Sequence, residues 1–258
     1  MLDPVKDLES ELVSIVTPAY KAARFVGATI ESVIAQDYLK WEMLIVDDRS
    51  PDDTADIVAS YSKADPRVKL IRQVENGGAA AARNAALDFA RGRYVAFLDS
   101  DDVWMPGKLS RQLSFMRDVG AGLSFTSFRR ITEDGSRTGR LISVPSSLDY
   151  TALLKNTAIV TSTVVVDRSV TGSFRMTKTY YDDFVLWLGL LKRGVIARGL
   201  PIDLLRYRVV DQSISRNKAN SARQVWRTYR DIEDLGILPA AWCFVHYASR
   251  AWLKYRRF

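Results

Sequence analysis

Between residues 13 and 102, four short apolar runs alternate with three helical patterns, and this alternation limits the fold more than any other feature of the chain. Val13-Ser14-Ile15-Val16-Thr17-Pro18 reads as a buried strand stopped by proline. Behind it, Val26, Ile30, Val33 and Ile34 share one helical face. Met43-Leu44-Ile45-Val46 is a second strand, and Ser50-Pro51-Asp52-Asp53 reads as a helix start, with Ser50 as N-cap and Pro51 in the first helical position. Val68-Lys69-Leu70-Ile71 is a third strand, and Asn76-Gly77-Gly78 turns into an Ala-rich helix over 79–91. Tyr94-Val95-Ala96-Phe97-Leu98 is a fourth strand. Such alternation predicts an α/β fold, a mostly parallel central sheet flanked by helices.

The rest of the chain is less regular. Residues 123–131 and 161–167 look strand-like, 182–193 helical and 204–210 a last strand. From Asn217 the pattern is helical in two stretches, divided by Gly236-Ile237-Leu238-Pro239. The expected organisation is one domain over 1–216, with halves at about 12–119 and about 120–216, followed by helices over 217–258.

Composition excludes several classes. The 258 residues are 47% apolar and 26% charged, which is ordinary for a globular chain. One cysteine, Cys243, and one histidine, His246, rule out an intramolecular disulfide and a Cys- or His-rich metal centre. No run reaches the roughly 18 to 20 apolar residues that a membrane span requires. The start of the chain is acidic and has no apolar stretch of the signal-peptide kind.

Three strands end in polar groups: Pro18-Ala19-Tyr20, Asp47-Asp48 and Asp99-Ser100-Asp101. Ligands of open parallel sheets bind beyond the carboxyl ends of the strands, so these groups should line one crevice. Two carboxylates spaced by one residue suit an oxygen-ligated Mg²⁺ or Mn²⁺ whose other positions go to phosphate and water. Any single pair of acids is also explained as a helix cap. The helix after Asn76-Gly77-Gly78 carries Arg83 and Asn84, and Arg83 falls about one and a half turns in, facing the same crevice or solvent.

These segments, with Leu44-Ile45-Val46-Asp47-Asp48-Arg49-Ser50, Glu75-Asn76-Gly77-Gly78-Ala79-Ala80-Ala81-Ala82-Arg83-Asn84 and Val95-Ala96-Phe97-Leu98-Asp99-Ser100-Asp101-Asp102, resemble the family 2 glycosyltransferases in order and spacing. The resemblance runs over about residues 12–215 and is similar in layout to bacterial enzymes that build teichuronic acid, O-antigen and exopolysaccharide. It implies a GT-A fold and inverting transfer of a sugar from a nucleotide diphosphosugar, a UDP-sugar first of all, to a glycan or polyprenyl-linked hydroxyl. It also implies roles. Pro18, Ala19 and Tyr20 would border the nucleoside, Asp48 would accept from the base, and Arg83 would lie beside it, with Asn76, Gly77 and Ser100 also on the donor side. Asp99 would sit near the ribose and inner donor groups, and Asp101 would hold the Mn²⁺ or Mg²⁺ that bridges the diphosphate. Tyr180-Tyr181-Asp182-Asp183-Phe184-Val185-Leu186-Trp187 matches the family's Glu-Asp motif, which makes Asp183 the expected base and Asp182 the second candidate. Read without the resemblance, both are first-turn acids favourable to a helix dipole. The family's histidine after Tyr-Arg is replaced here by valines after Tyr207-Arg208, so Arg208 or Arg216 is the substitute phosphate contact.

The net charge of +7 lies wholly at the end of the chain. Residues 1–205 hold 26 basic and 26 acidic side chains, and residues 206–258 hold 11 and 4. Residues 220–258 mix Trp and Tyr with these cations, and residues 235–249 carry no formal charge. This composition suits an anionic membrane surface, with the enzyme cytoplasmic and peripheral on the inner face of the membrane. It equally suits a helical hairpin in which Trp226, Trp242 and Phe244 pack on the body. Cys243 and His246 read as core residues of that stretch. A nucleotidyltransferase would need a Gly-rich phosphate loop after the first strand, and a dehydrogenase a G-x-G-x-x-G; neither is present. No nucleic-acid-binding motif accompanies the basic charge, and a nucleotide-sugar-binding protein without catalysis leaves the acids unexplained.

Overall fold

The computed structural model describes residues 9–156, 158–179, 181–210 and 218–255. Strand β1 (Glu9–Ala19) is buried on both faces over its second half, as its unbroken apolar run requires. It pairs in parallel with β2 (Trp41–Asp47) on one side and β4 (Gly92–Phe97) on the other, and β3 (Val68–Arg72) lies in parallel outside β2.

Pro18 does not stop β1, contrary to expectation; it pairs with Val46 inside the strand. The Val16 carbonyl accepts from Leu98 toward β4, so the nitrogen of Pro18, two residues on, faces the same side, where the β4 ladder has ended. No ladder bond is lost there.

Beyond β4 the sheet continues through β9 (Val165–Asp167), β6 (Leu123–Ile131), β10 (Ala197–Arg208) and β5 (Val103–Trp104). The order is β3-β2-β1-β4-β9-β6-β10-β5, with β7 (Thr138–Ile142) on β6 and β8 (Ser147–Leu148) on β10. Strand β9 is antiparallel to both β4 and β6, so β6 and β10 run in the direction of β1–β4. The mostly parallel sheet is therefore as expected. Strand β10 begins seven residues before the expected 204. Its early part carries Gly199 and Pro201, which mask the strand pattern, and the register against β6 shifts between Leu200 and Asp203, where Pro201 is accommodated.

Helices α1 (Val26–Ile34), α2 (Thr54–Ala64) and α4 (Lys108–Val119) cover one face of the sheet, packing Ile30, Val33, Val58, Leu109 and Leu113 onto it. Helices α3 (Ala79–Phe89), α5 (Tyr150–Leu154) and α7 (Asp182–Lys192) cover the other; α6 (Arg168–Thr171) is a single turn after β9. Trp187 of α7 meets Phe97 of β4 edge-on, 5.3 Å between ring centroids. Helix α2 starts at Thr54, not at Ser50. The Asp52 carboxylate accepts from Thr54 Oγ1 at 2.6 Å and from the Ala23 amide at 3.2 Å, and Ser50 Oγ accepts from the Lys21 amide at 3.2 Å. These side chains tie the loop to the residues after β1, and Asp52 also accepts from the Thr54 amide at the start of α2 at 3.3 Å.

The basic end forms α8 (Lys218–Arg227), a π-helical turn over Thr228–Ile232, and α9 (Ile237–Tyr255). The break falls at residues 233–236. Pro239 sits in the first turn of α9, where a missing N–H is harmless. Val225, Tyr229, Ala240, Cys243 and Tyr247 are buried against the α7 side of the body, so the hairpin is packed on it. Cys243 is a core residue as expected. Trp242 is not: it is 60% exposed beside Leu238 at 83% and Val245 at 62%, one outward stripe of α9. His246 rests edge-on against Trp242 at 4.5 Å. Arg216 and Tyr180 lie outside the described residues.

Candidate active site

The ends of β1 and β2 are laced together. The Asp48 amide donates to the Ala19 carbonyl at 2.8 Å, and Lys21 and Arg49, each just past one of these strands, take positive φ of 52° and 57°. Non-glycine residues adopt that conformation where surrounding bonds over-determine it, a frequent feature of functional turns. Ala19 is buried at this junction, and Tyr20 is 47% exposed with the Lys21 amine 5.3 Å over its ring.

Asp48 is buried and its carboxylate closes the loop that starts α3. Oδ1 accepts from the Gly77 amide and Oδ2 from the Gly78 amide, both at 2.8 Å, and the Asn76 side chain donates to the Asp48 carbonyl at 2.9 Å. Both glycines are required. A Cβ on Gly77 would lie 2.6 Å from that of Ala81, and Gly78 has a φ of 85°. The anion thus sits at the helix N-terminus, where the dipole favours it. Each oxygen keeps a free lone-pair direction for a further donor.

Arg83 is buried in α3 and reaches Asp99 at the end of β4, 2.5 Å from Nη2 to Oδ1. Burial opposes its charge, but Asp99, then Asp183 and Asp182, outweigh that and raise its affinity for the proton. Asn84, its neighbour, exchanges two bonds with the backbone of Met176 at 2.7 and 2.8 Å, fixing the loop before α7 onto α3.

At the end of β4 the acids crowd. Burial first, and Asp99 second, push the Asp101 carboxyl up to about 6, against the pull of Arg208 and Arg83. Asp102, deeper still, is raised well above the carboxylate range by burial and by Asp101 and Asp99. Arg208 serves this turn through its backbone and side chain. Its amide donates to Asp102 Oδ1 and its Nε to the Asp101 carbonyl, both at 2.8 Å, so it is committed to protein groups. The Ser100 carbonyl accepts from Thr29 at 3.0 Å.

Asp182 and Asp183 open α7 and have different partners. Asp182 accepts from the Thr179 amide at 2.5 Å, a loop bond. Asp183 accepts from Thr161 Oγ1 at 2.5 Å and from the Phe184 amide at 2.7 Å. It lines a small cavity with Leu153, Ile159, Tyr181, Phe184 and Trp187. Burial raises its pKa, opposed by Thr161, Arg83 and the Phe184 amide. A carboxylate with raised proton affinity, beside a cation, is suited to general-base work.

Two contributors have no counterpart among the residues expected from sequence. Thr161 bonds the candidate base, and Ser162 Oγ accepts from the Asp99 amide at 3.0 Å. The signal for them is a run of three hydroxyl residues, Thr161-Ser162-Thr163, set between apolar Ile159-Val160 and Val164-Val165-Val166.

Among the described residues no group of three or more His, Cys, Asp or Glu side chains gathers as a metal site. The residues nevertheless fit a Mg²⁺ or Mn²⁺ held in part by a ligand. Asp101 is an oxygen donor whose charge is opposed by burial and Asp99 and only partly offset by Arg208 and Arg83, and such ions take few protein carboxylates.

The sequence model described as Glycosyl transferase family 2 matches residues 14–181. Over 241 residues the chain is 46% identical to a protein described as putative teichuronic acid biosynthesis glycosyltransferase TuaG from Bacillus subtilis, covering 93% of this chain and 96% of that one. It is 37% identical to the Escherichia coli UDP-Glc:alpha-D-GlcNAc-diphosphoundecaprenol beta-1,3-glucosyltransferase WfgD, over 87% of each chain. Among solved structures, S. aureus TarS 1-349 in complex with UDP-GlcNAc superposes with a TM-score of 0.71 at 17% identity, over 93% of this chain and 72% of that one. The mannosyltransferase PcManGT from Pyrobaculum calidifontis, in complex with GDP-Man and Mn²⁺, superposes with a TM-score of 0.68 at 18% identity, over 98% and 79%. These likenesses show the fold.

Proposed function

The chain belongs to glycosyltransferase family 2 and is a glycosyltransferase, and on that premise we propose that it moves a sugar from a UDP-sugar to a hydroxyl of a lipid-linked or growing surface-polysaccharide acceptor, with inversion and with Asp183 as base. The observation that carries the reading is the shared position of Arg83. This buried cation bonds Asp99 on the donor side and acts on Asp183 at the start of α7, so the donor acids and the base meet around one guanidinium. The names of WfgD and TuaG supply the donor and acceptor class.

In this mechanism Pro18, Ala19 and Tyr20 border the nucleoside, and Asp48 offers its remaining lone pairs to a base N–H while it holds the Asn76–Gly78 loop. Asp99, Ser100 and Asp101 face the ribose and the diphosphate. A divalent cation bound at Asp101 would stabilise the charge that gathers on the leaving diphosphate. Asp183 takes the acceptor hydroxyl's proton as it attacks in line, a contribution of about 10²–10⁴-fold for such a group. Asp182, bonded to the loop, keeps the start of the helix in place.

The acceptor class brings the enzyme to a membrane surface. Among the described residues no helix is long and apolar enough to cross a membrane. The outward stripe of Leu238, Trp242 and Val245 on α9, with the basic excess of residues 206–258, supports peripheral docking on an anionic leaflet at the cytoplasmic face. Co-sedimentation with phosphatidylglycerol liposomes should fall in high salt and in Trp242→Ala; binding unchanged by both contradicts the docking.

The donor is tested by thermal shift with UDP-, GDP- and dTDP-sugars in the presence of Mn²⁺, since a ligand that binds only the folded state raises its stability. UDP-sugars should give the largest rise. A larger rise with GDP- or dTDP-sugars would overturn the choice of nucleotide.

A further inference from the structure

The turn formed by Thr161, Ser162 and Thr163 is buried throughout, at 4%, 0% and 0% exposure. Three consecutive buried hydroxyls are costly unless each is bonded. Thr163 Oγ1 donates to the Val160 carbonyl at 2.6 Å, a local bond that satisfies it within the turn. Ser162 points both ways. Its Oγ accepts from the Asp99 amide at 3.0 Å, and its carbonyl accepts from Trp104 Nε1 at 2.8 Å. Thr161 donates to the Asp183 carboxylate at Oδ2, and at 2.5 Å the bond is short and charge-assisted.

Asp183 therefore has both oxygens engaged from opposite sides. Thr161 holds Oδ2, and the amide of its own helix at Phe184 holds Oδ1. Among the described residues, the Thr161 hydroxyl is the hydrogen-bond donor that reaches Asp183 from outside α7, so it ties the carboxylate to the turn before β9. We propose that Thr161 is a positioning residue for Asp183, and that the turn carrying Thr161 and Ser162 sets the base and the Asp99 end of β4 in one fixed geometry. The proposal rests on the reading of Asp183 as the base.

The groups that act on Asp183 are Arg83 from α3, Asp99 from the end of β4, the Thr161 hydroxyl and the Phe184 amide. Burial and Asp99 favour its protonated form; Thr161, Arg83 and the Phe184 amide favour the ionised one. Removing the Thr161 hydroxyl deletes a bond made to the ionised form. The Asp183 pKa then rises further, and the acid side of the rate profile moves toward alkaline pH.

The test is Thr161→Val, close in shape but without the donor, beside Thr161→Ser, which keeps it. The Asp183 carboxyl is titrated by NMR in protein carrying ¹³Cγ-labelled Asp, with Asp183→Asn to assign the signal. Thr161→Val should raise the titration midpoint by about one unit, as expected for loss of one charge-assisted bond. The acid limb of kcat for transfer from UDP-glucose to a short-chain GlcNAc-diphosphoprenol should move by the same amount, with donor KM within about twofold. Thr161→Ser should stay near wild type. A Thr161→Val midpoint that coincides with wild type, or a Ser variant displaced as far as Val, overturns the proposal. Should Thr161→Val not fold, Thr161→Ser against Thr161→Cys makes the same comparison, because a thiol is a weak donor. The base reading fails separately, through transfer retained in Asp183→Asn, which would leave the titration result standing.

Discussion

Strands β2 and β4 both end in consecutive or near-consecutive acids, yet the two groups meet opposite circumstances. At the end of β2, Asp48 gives each oxygen to a backbone amide, Gly77 and Gly78, and so is satisfied by the chain itself. At the end of β4, Arg83 pairs with Asp99, and Asp101 and Asp102 are left to repel one another behind a wall of buried groups. The same residue type in the same topological place thus does two things. One acid ties the loop that starts α3. The others crowd one turn, and the cation proposed to bind there would relieve their repulsion.

This contrast predicts that the two ends fail differently. Asp101→Ala should lower transfer by about 10³-fold, the several kcal/mol that charge stabilisation of a leaving group contributes, without loss of folding stability. Exhaustive EDTA treatment of the wild type should do the same. Activity surviving both would remove the distinction drawn at β4. Asp48→Ala should instead destabilise the fold. Two loop amides lose their acceptor, at about 1–3 kcal/mol each where water does not replace it. Urea denaturation reads this as a lower midpoint at constant slope; an unchanged midpoint would mean the loop is held by other contacts.

The pH dependence sharpens the comparison. Asp101 moves from 3.8 unfolded to about 6 folded. Between those values the folded state binds more protons than the unfolded one, so this group's contribution makes stability fall as pH rises from about 4 to 6. Asp101→Asn removes that loss and should stabilise the cation-free protein by about 3 kcal/mol at pH 7 and by nothing below pH 4. Equal stability of variant and wild type at both pH values would show that the β4 acids are not in conflict.

Much of the site was legible because strand ends are local. A run of apolar residues that stops at an acid places that acid at the rim of a parallel sheet, and Asp48, Asp99 and Asp101 do follow the ends of β2 and β4. What spacing could not reveal is who neutralises whom. Asp48 is matched by amides 29 and 30 residues later, and the partner of Asp183 lies 22 residues before it. The start of α2 was misjudged because Ser50 and Asp52 bond the end of β1, a choice decided by tertiary contact over helix capping. The early half of β10 was hidden by Gly199 and Pro201, which a register shift absorbs. Trp242 was grouped with the packed residues of the basic end. Aromatic content alone does not tell the inner face of a helix from its outer one, and here Cys243 points in and Trp242 out.

Asp183 carries the proposed chemistry. The most direct measurement compares Asp183→Asn with wild type in transfer to a polyprenyl-diphosphate-linked acceptor from the UDP-sugar that gives the largest thermal shift, with donor affinity measured in parallel by calorimetry. The expected result is a fall in kcat of at least about 10²-fold with donor Kd within a factor of about two. Near-wild-type turnover in Asp183→Asn would contradict it.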